Sequence, residues 1–462
     1  MPNLPLAFEQ QMQSQLGDDY KSFIQSLDTE APVSIRHNIL KHNPFLEGKP
    51  VLWCNEALYL PARPEFSKDP FWHAGCYYVQ ESASMFIGNI VKQLIENIDS
   101  PIVLDSCAAP GGKSTHLASV LHEKGLLVSN EVIKTRAHIL QENITKWGLN
   151  NVVITNNDPS HFSKVKSFFD ILVVDAPCSG EGLFRKQPDS VSEWSENAVE
   201  FCSNRQKRIL EDLWPSLKPG GFLVYSTCTY NQQENEDNLK WFNEKYDIGT
   251  VNIVSSLDWN VESQKVNNQN TFRFYPHKTN SEGLFVTVVQ KLEESDYKNF
   301  THLKNPYFHK IVKEDFARLK EIVSAENIFL KQQPNGMVNL LPENFYEEIE
   351  FLATRLKVIY CGTTIAEVKG RDIIPMQGAA NSIYLNKDNF NEIDLDLGTA
   401  QKFLARQDFE CEAEIGINLV TFNSVPLGWL KKMPNRINNY FPQEWRLRNI
   451  LKKPSYLYEG SF

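Results

Sequence analysis

The stretch Ile102-Val103-Leu104-Asp105-Ser106-Cys107-Ala108-Ala109-Pro110-Gly111-Gly112-Lys113 decides the fold. It begins with the pattern of a buried strand, turns through small residues and continues into a helix candidate. Strand candidates and amphipathic segments of helix length then alternate as far as residue 291. Because alternating strands and helices build βαβ units, this pattern predicts an α/β fold with a mostly parallel, doubly wound sheet. The strand candidates are residues 102–105, 126–130, 152–155, 171–174, 222–225 and 284–289, and the helix candidates include 133–147 and 194–214.

At 462 residues the chain is long enough for two or three domains, and its pattern changes on both sides of the core. Before the core, helical spacing leads to a strand candidate at 33–36, and Ser82 is placed to cap a further helix. After the core, residues 296–304 are polar and unpatterned, which is typical of a linker. The predicted domains are an N-terminal lobe packed on the core (1–98), the α/β core (99–292), a connecting α+β domain (305–360) and a C-terminal small barrel (361–462).

Composition favours a cytoplasmic protein without a membrane span. No window approaches the ~18 apolar residues that a span needs, and the polar start lacks the order of a signal peptide. The eight cysteines have no CxxC spacing, which predicts free thiols and neither a metal site nor disulfides. The net charge of −10 argues mildly against nucleic acid, but residues 416–462 carry seven Lys/Arg and two acids. Such a basic end is either a phosphate-binding surface or a solvated face.

The turn between Asp105 and Lys113 has the composition of a loop that approaches a ligand closely. Its small residues suit either a phosphate or the methionine carboxylate of S-adenosylmethionine. A Walker loop is excluded because Cys107 stands where that motif needs glycine, and GxGxxG is absent. Glu131 and Asp158 follow the next strands, placed to accept from ribose hydroxyls and an adenine amino group. One strand-end acid is usually a helix cap or loop residue, but together these residues predict a nucleoside cofactor without phosphates.

Two cysteine motifs end further strands of the core. Asp175-Ala176-Pro177-Cys178-Ser179-Gly180 follows the fourth strand candidate, and Tyr225-Ser226-Thr227-Cys228-Thr229-Tyr230 follows the fifth. A thiolate that adds to carbon 6 of a pyrimidine lets carbon 5 attack a sulfonium methyl, while a second group assists at N3 and a third assists release. Asp175 suits the task at N3, but the residues alone do not rank the two thiols. A strand-end cysteine is often only a compact core residue, which is our interpretation of Cys107 and Cys202.

With these motifs the sequence resembles the NOL1/NOP2/Sun family of RNA cytosine-C5 methyltransferases. Within that family it is most similar to the bacterial 16S rRNA enzymes of the F type, which carry a PUA-like C-terminal extension. The matching segments follow the family's order along the chain. They are residues 72–82, Cys107–Ser114, 175–180 with 182–185, 225–230 with 234–236, 276–277 before 283–286, 427–431 and 440–446.

The resemblance implies a Rossmann-like class I methyltransferase core, S-adenosylmethionine as cofactor and small-subunit rRNA as partner. It makes Cys228 the nucleophile and Cys178 the residue that aids release. Two positions depart from the family, because Glu131 stands where Asp is common and Cys76 where Trp is frequent. The implied cofactor contacts are Cys107, Ala108, Ala109, Pro110, Gly111, Gly112, Lys113, Glu131, Asp158 and Asp175.

Two other functions stay open at this point: a tRNA cytosine-C5 methyltransferase, and an RNA-binding ribosome-assembly factor with a residual methyltransferase core. Whether the methyltransferase acts on rRNA or on tRNA, a flipped cytosine has to enter the pocket. We expect a monomer. The candidates for contacts with RNA are Arg185, Lys186, Arg205, Trp429, Lys431, Lys432, Tyr440 and Trp445, for which solvated charge and barrel-core aromatics are the alternatives.

Overall fold

The computed structural model describes residues 4–42, 47–294, 307–324 and 328–448. The predicted linker at 296–304 and the basic residues Lys452 and Lys453 lie outside the described residues. Within the described part of the chain, no helix is both long enough and apolar enough to span a bilayer.

The N-terminal lobe consists of a helical pair followed by a small antiparallel sheet in the order β2-β3-β1-β4. Phe8 and Phe23 of the helical pair are buried against Phe184 and Tyr230, which lie near the two cysteine motifs. The lobe is therefore packed on the core, at the end where the thiols lie. Its elements are α1 (Leu6–Leu16), α2 (Tyr20–Leu27), β1 (Val33–His37), β2 (Lys49–Val51), β3 (Cys54–Leu60), α3 (Pro70–His73), β4 (Tyr77–Val79) and α4 (Phe86–Leu94).

The predicted capping role of Ser82 is wrong. Ser82 already has helical backbone angles, with φ −64° and ψ −44°, and its side chain makes no cap hydrogen bond. The Glu81 carboxylate accepts instead from the N–H groups of Ala83 and Ser84, at 3.0 and 2.9 Å. The longer acidic side chain reaches the free N–H groups from one residue earlier in the chain.

The core is the predicted doubly wound α/β sheet. Its strands run in the order β11-β12-β13-β9-β8-β5-β6-β7, and the five from β9 to β7 are parallel. The strand predicted at 284–289 belongs to the sheet but is antiparallel to β9. The elements are β5 (Ile102–Asp105), α5 (Gly112–Val120), β6 (Leu126–Asn130), α6 (Lys134–Trp147), β7 (Val152–Thr155), β8 (Phe169–Asp175), α7 (Ser190–Glu193), α8 (Glu196–Leu213), β9 (Leu217–Thr227), α9 (Glu236–Lys245), β10 (Ile248–Thr250), β11 (Glu262–Val266), β12 (Gln269–Phe274) and β13 (Leu284–Lys291).

Helices cover both faces of this sheet, which explains why its central strands are apolar without alternation. Helices α4, α5 and α6 pack on the face that presents Val103, Leu127 and Val173. Helices α8 and α9 pack on the face that presents Leu104 and Val128. The carboxyl ends of the parallel strands are left free at one edge, where open α/β sheets bind their ligands.

The C-terminal third contains two further four-stranded sheets, in the orders β14-β15-β17-β18 and β19-β20-β21-β22. The first sheet draws strands from both sides of residue 360, and β16 joins the core sheet antiparallel to β7. The second sheet packs on the N-terminal lobe, where the Phe71 and Phe422 rings lie 5.1 Å apart. The elements are α10 (Lys313–Leu319), β14 (Ile328–Gln332), β15 (Met337–Pro342), α11 (Tyr346–Arg355), β16 (Val358–Cys361), β17 (Thr363–Lys369), β18 (Asp372–Pro375), α12 (Gln377–Asn381), β19 (Asn391–Asp394), α13 (Leu397–Leu404), β20 (Gly416–Phe422), β21 (Val425–Met433) and β22 (Arg436–Asn439).

Candidate active site

Side chains of helix α6 fix the loop between β5 and α5 at the free edge of the sheet. Arg136 Nη2 donates to the Ala109 carbonyl and Asn143 Nδ2 donates to the Pro110 carbonyl, both at 2.8 Å. Gly111 has φ +119°, a conformation that favours glycine. Because α5 begins at the next residue, its first N–H groups have no acceptor within the helix and are available to a ligand.

Glu131 and Asp158 both lie at this edge, and each accepts a hydrogen bond from the backbone N–H two residues later. Glu131 is buried beyond β6; its Oε1 accepts from the Ile133 N–H at 2.9 Å, and its Oε2 lies 3.6 Å from Arg136 Nη1. Asp158 caps a short 3-10 helix, because Oδ1 accepts from the N–H and the hydroxyl of Ser160, and Oδ2 lies 3.7 Å from Arg208. The bonds from Ser160 and the charge of Arg208 lower the pKa of Asp158. Asp158 therefore has a structural task beside the predicted contact with adenine.

Asp105 and Cys107 lie deeper in the same loop. Ser114 Oγ donates to Asp105 Oδ2 at 2.7 Å, and among the described residues no group donates to the buried Oδ1. Burial raises the pKa of Asp105 to about 6. Burial also raises the pKa of the Cys107 thiol to about 12, so this thiol is neutral at physiological pH.

The structure brings Cys178 and Cys228 together. Strands β8 and β9 are parallel neighbours that pair Asp175 with Ser226, so both cysteine loops leave the sheet side by side. The Sγ atoms of the two cysteines lie 3.0 Å apart. The hydrogen bond with Cys228, burial, and the nearby charge of Glu234 hold the pKa of Cys178 well above its ordinary value. The two thiols thus form one unit at the free edge of the sheet.

Lys113 connects the cofactor loop to the thiols. Its Nζ lies 2.7 Å from Asp175 Oδ2, and Ser226 Oγ donates to Asp175 Oδ1 at 2.8 Å. Burial opposes the charge on Lys113, but Asp175, Asp105 and Cys228 together raise its pKa above the ordinary value. Lys113 therefore stays protonated beside the pair of thiols.

Two residues predicted to contact RNA make buried contacts within the protein instead. Arg185 forms a buried ion pair with Glu282, with Nη2 3.0 Å from Oε1. Trp429 is buried and donates to the Met376 carbonyl at 2.9 Å, so it is a core aromatic, the alternative considered above. Of the other candidates, Lys186 is exposed, and those that are half-buried are Arg205, Lys431, Lys432, Tyr440 and Trp445.

Two buried glutamates that the sequence analysis did not select, Glu181 and Glu234, contact both cysteine loops. They stand three residues after Cys178 and six residues after Cys228. An acid so soon after each strand-end cysteine could have predicted contacts between the two loops. A carboxylate buried next to a strand end needs several hydrogen-bond donors, which neighbouring loops can supply.

The order of the parallel strands, the small-residue loop after β5 and the acids after the next strands define a class I methyltransferase. Three family models match the chain in sequence. They describe the 16S rRNA methyltransferase RsmB/F over residues 92–290, the N-terminal domain of 16S rRNA methyltransferase RsmF over 4–82, and the methyltransferase RsmF PUA domain over 390–447. The chain belongs to the RsmB/F methyltransferase family.

Relatives match along nearly the full length. The chain is 28% identical over 472 residues to the ribosomal RNA small subunit methyltransferase F of Escherichia coli (strain SE11), covering 95% of this chain and 96% of the relative. It is 29% identical over 480 residues to the protein of that name from Vibrio campbellii, covering 96% and 97%. A crystal structure of a methyltransferase homolog protein from Pyrococcus horikoshii aligns with a TM-score of 0.54 at 25% identity, covering 63% of this chain and 96% of that chain.

The cofactor is S-adenosylmethionine, and the groups at the sheet edge fit it. The first N–H groups of α5 are free to bind a carboxylate. Glu131 offers a buried carboxylate where ribose hydroxyls need an acceptor, and Asp105 Oδ1 is a buried acceptor that no described group satisfies. The cations at this edge are already paired, Lys113 with Asp175 and Arg136 with Glu131.

Proposed function

We propose that this methyltransferase acts on C5 of cytosine in small-subunit rRNA through a covalent bond between Cys228 Sγ and cytosine C6. The observation that carries the proposal is the 3.0 Å separation of Cys178 Sγ and Cys228 Sγ beside the pair formed by Lys113 and Asp175. Methyl transfer to a nucleophilic nitrogen or oxygen needs no cysteine. Methyl transfer to C5 of a pyrimidine does, because a thiol first adds to the ring and is later eliminated from it. The RNA class follows the relatives, which are ribosomal RNA small subunit methyltransferases.

In the proposed reaction Cys228 Sγ adds to C6, and Asp175 assists at N3 as electron density moves onto the ring. The proton for this assistance comes from Lys113 Nζ, 2.7 Å from Asp175 Oδ2, and returns to it when the C6–S bond breaks. When bound, S-adenosylmethionine supplies an electrophilic methyl group, which the C5 carbon attacks. A base then removes the C5 proton, the ring double bond forms again and the C6–S bond breaks with its electron pair on Cys228. Cys178 assists this release.

The proposed cofactor contacts divide by the part of the ligand that they suit. The loop from Cys107 through Gly112 presents backbone groups to the methionine portion, and Lys113 and Asp175 lie towards the thiols. Glu131 accepts from the ribose hydroxyls and Asp158 from the adenine amino group. The half-buried lysines Lys431 and Lys432 of the PUA domain are proposed to bind the RNA backbone, in a cytoplasmic monomer.

The test is to trap the adduct in matched cysteine variants. Cys178→Ala is expected to accumulate a covalent complex with its RNA when cofactor is present, because release is slowed after Cys228 has attacked. Cys228→Ala is expected to form no complex and no product, and Cys202→Ala, on helix α8, serves as the control. A Cys228→Ala protein that still methylates, beside a dead Cys178→Ala protein with no adduct, would reverse the assignment.

Mapping of 5-methylcytosine in cells with and without the protein tests the substrate. Loss of the base from small-subunit rRNA alone is expected. Loss from tRNA alone would favour the tRNA enzyme, and an unchanged map with a defect in subunit assembly would favour the assembly factor.

A further inference from the structure

Two buried glutamates hold the cysteine loops against each other. Glu181 follows Cys178 by three residues and is fully buried. Its carboxylate accepts hydrogen bonds from the backbone N–H groups of Tyr230 and Asn231, both at 2.8 Å, and these residues lie two and three positions after Cys228. The loop that carries Cys178 therefore holds the backbone of the loop that carries Cys228.

Glu234 makes the reciprocal contact from the other loop. Its two oxygens accept from the backbone N–H of Ser179, the residue after Cys178, at 3.3 and 3.1 Å. Gln206 Nε2 also donates to Glu234, at 2.6 Å. Burial raises the pKa of Glu234, but the groups that contact its oxygens are N–H donors, which accommodate the ionised carboxylate.

Asn231 and Gly182 complete this arrangement. Asn231 Nδ2 lies 3.1 Å from Glu181 Oε1 and 2.8 Å from Glu234 Oε1, so it joins the two carboxylates. The Gly182 N–H donates to the carbonyl of Cys228 itself, at 2.8 Å. A Cβ at Gly182 would lie 2.5 Å from that oxygen, so the close approach of the two loops requires glycine.

The charges around the two thiols are unequal. Besides the hydrogen bond from its partner and burial, the charge of Glu234 raises the pKa of Cys178. Cys228 instead interacts with Lys113: burial lowers the pKa of that lysine, and Asp175, then Asp105, then Cys228 raise it. The Glu234 carboxylate, which accepts from the backbone N–H of the next residue, Ser179, therefore favours the protonated form of the Cys178 thiol.

We propose that Glu181 and Glu234 form a reciprocal carboxylate clamp that positions the two thiols, with the Glu234 carboxylate beside Cys178 and the Cys178 S–H donating to the sulfur of Cys228. Both glutamates are positioning residues. The proton that leaves the Cys228 thiol passes to solvent, and the Cys178 S–H donates to the resulting thiolate across the 3.0 Å separation. The catalytic meaning of the clamp rests on the proposed function, but the position of the proton is measurable without methyl transfer.

The test is the rate at which iodoacetamide alkylates each cysteine as a function of pH, resolved by mass spectrometry of peptides. Trypsin separates the two thiols because Lys207 and Arg208 are among the cleavage sites between them. In the unsubstituted protein we expect Cys228 to be alkylated before Cys178 at neutral pH. In Glu234→Gln the alkylation rate of Cys178 at neutral pH should rise about tenfold, which corresponds to a pKa lowered by one unit.

Glu350→Gln is the matched control. Glu350 is a buried carboxylate that accepts from the N–H groups of Tyr307 and Phe308, at 2.8 and 3.1 Å, and helix α11 carries it outside both cysteine loops. Its substitution should leave the pH profile of Cys178 unchanged. Equal profiles in the Glu234 and Glu350 variants would overturn the electrostatic part of the proposal. Faster alkylation of Cys178 than of Cys228 in the unsubstituted protein would overturn it without any variant.

Glu181→Gln tests the mechanical part through hydrogen exchange. The amides of Tyr230 and Asn231 should exchange at least tenfold faster, because the side-chain amide has one acceptor oxygen for the four N–H donors that the Glu181 carboxylate accepts from, and amides of strand β6 should be unaffected. Unchanged exchange at these two amides would show that Glu181 does not hold the loop. If alkylation and exchange behave as expected while Cys228→Ala still methylates cytosine, the clamp stands and the proposed function fails.

Discussion

The two halves of the active-site edge differ in how far their buried polar groups find partners within the protein. In the cofactor half, formed by residues 105–113 with Glu131 and Asp158, the buried Asp105 Oδ1 and the first N–H groups of α5 have no partner among the described residues. In the thiol half, formed by residues 175–182 and 226–234, the protein itself supplies partners to the buried carboxylates. A small ligand can complete the first half on binding, whereas the second half has to be positioned before RNA arrives. Preorganisation of the reacting groups is what makes such a site effective.

The largest expected effect is at Lys113, which joins the two halves. Lys113→Met removes the cation beside Asp175 and Cys228, and the single-turnover rate of methyl transfer should fall about a thousandfold, the upper range for loss of one preorganised charge. Lys218→Met is the matched control, because Lys218 pairs with Asp170 at 2.8 Å at the other end of strand β8. A Lys113→Met rate within tenfold of the control would mean that the halves are not coupled through this residue.

Asp105 should make the stability of the ligand-free protein depend on pH. Its pKa of about 6 in the fold lies above the ordinary value of 3.8, so the folded state resists an ionisation that the unfolded chain undergoes readily. Stability is therefore lost as pH rises from 4 to 6, by about 3 kcal/mol at most. In urea unfolding at pH 4 and pH 7, Asp105→Asn should remove this loss. An Asp105→Asn protein with the same loss as the unsubstituted protein would assign the pH dependence to other groups.

The central strands and the outer strands of the core sheet differ in how well the sequence predicts them. The core strands at 102–105, 126–130 and 152–155 have the predicted bounds, because a strand buried on both faces leaves an unbroken apolar run. The hairpin of β11 and β12 escaped prediction because Glu262–Val266 is largely polar and exposed. Strand β16 escaped because its pairing with β7 joins residues about two hundred positions apart.

Within the site, residue type and strand end indicated Cys178, Cys228, Asp175 and Glu131, whose placement at one edge follows from the parallel sheet. The partners of those residues were not accessible in this way. Two of these contacts depend on how three loops fold over one another. They are the ion pair of Lys113 with Asp175 and the hydrogen bond from the Tyr230 N–H to Glu181. Short-range patterns carry no information on such contacts.

Glu131 is expected to act only on the binding of cofactor. Glu131→Gln keeps the shape but weakens the acceptor for the ribose hydroxyls, and the dissociation constant of S-adenosylmethionine should rise about tenfold, or about 1.4 kcal/mol. Titration calorimetry measures this without RNA. Glu142→Gln is the control, because that carboxylate on helix α6 pairs with Lys146. A changed rate of alkylation of Cys178 in Glu131→Gln would show that Glu131 acts on the thiol half as well as on cofactor binding.

Asp158 should give the smallest effect and decides between its two interpretations. Asp158→Ala removes the cap on the Ser160 N–H, which should lower the free energy of unfolding by about 1 kcal/mol. Asp158→Asn still caps and still accepts from an adenine amino group, so both its stability and its affinity for cofactor should remain near those of the unsubstituted protein. If Asp158→Ala loses stability but binds S-adenosylmethionine as tightly as Asp158→Asn does, the carboxylate is only a helix cap. The adenine would then have to be held by other groups at the end of β7, and the cofactor half would rely on the loop and Glu131.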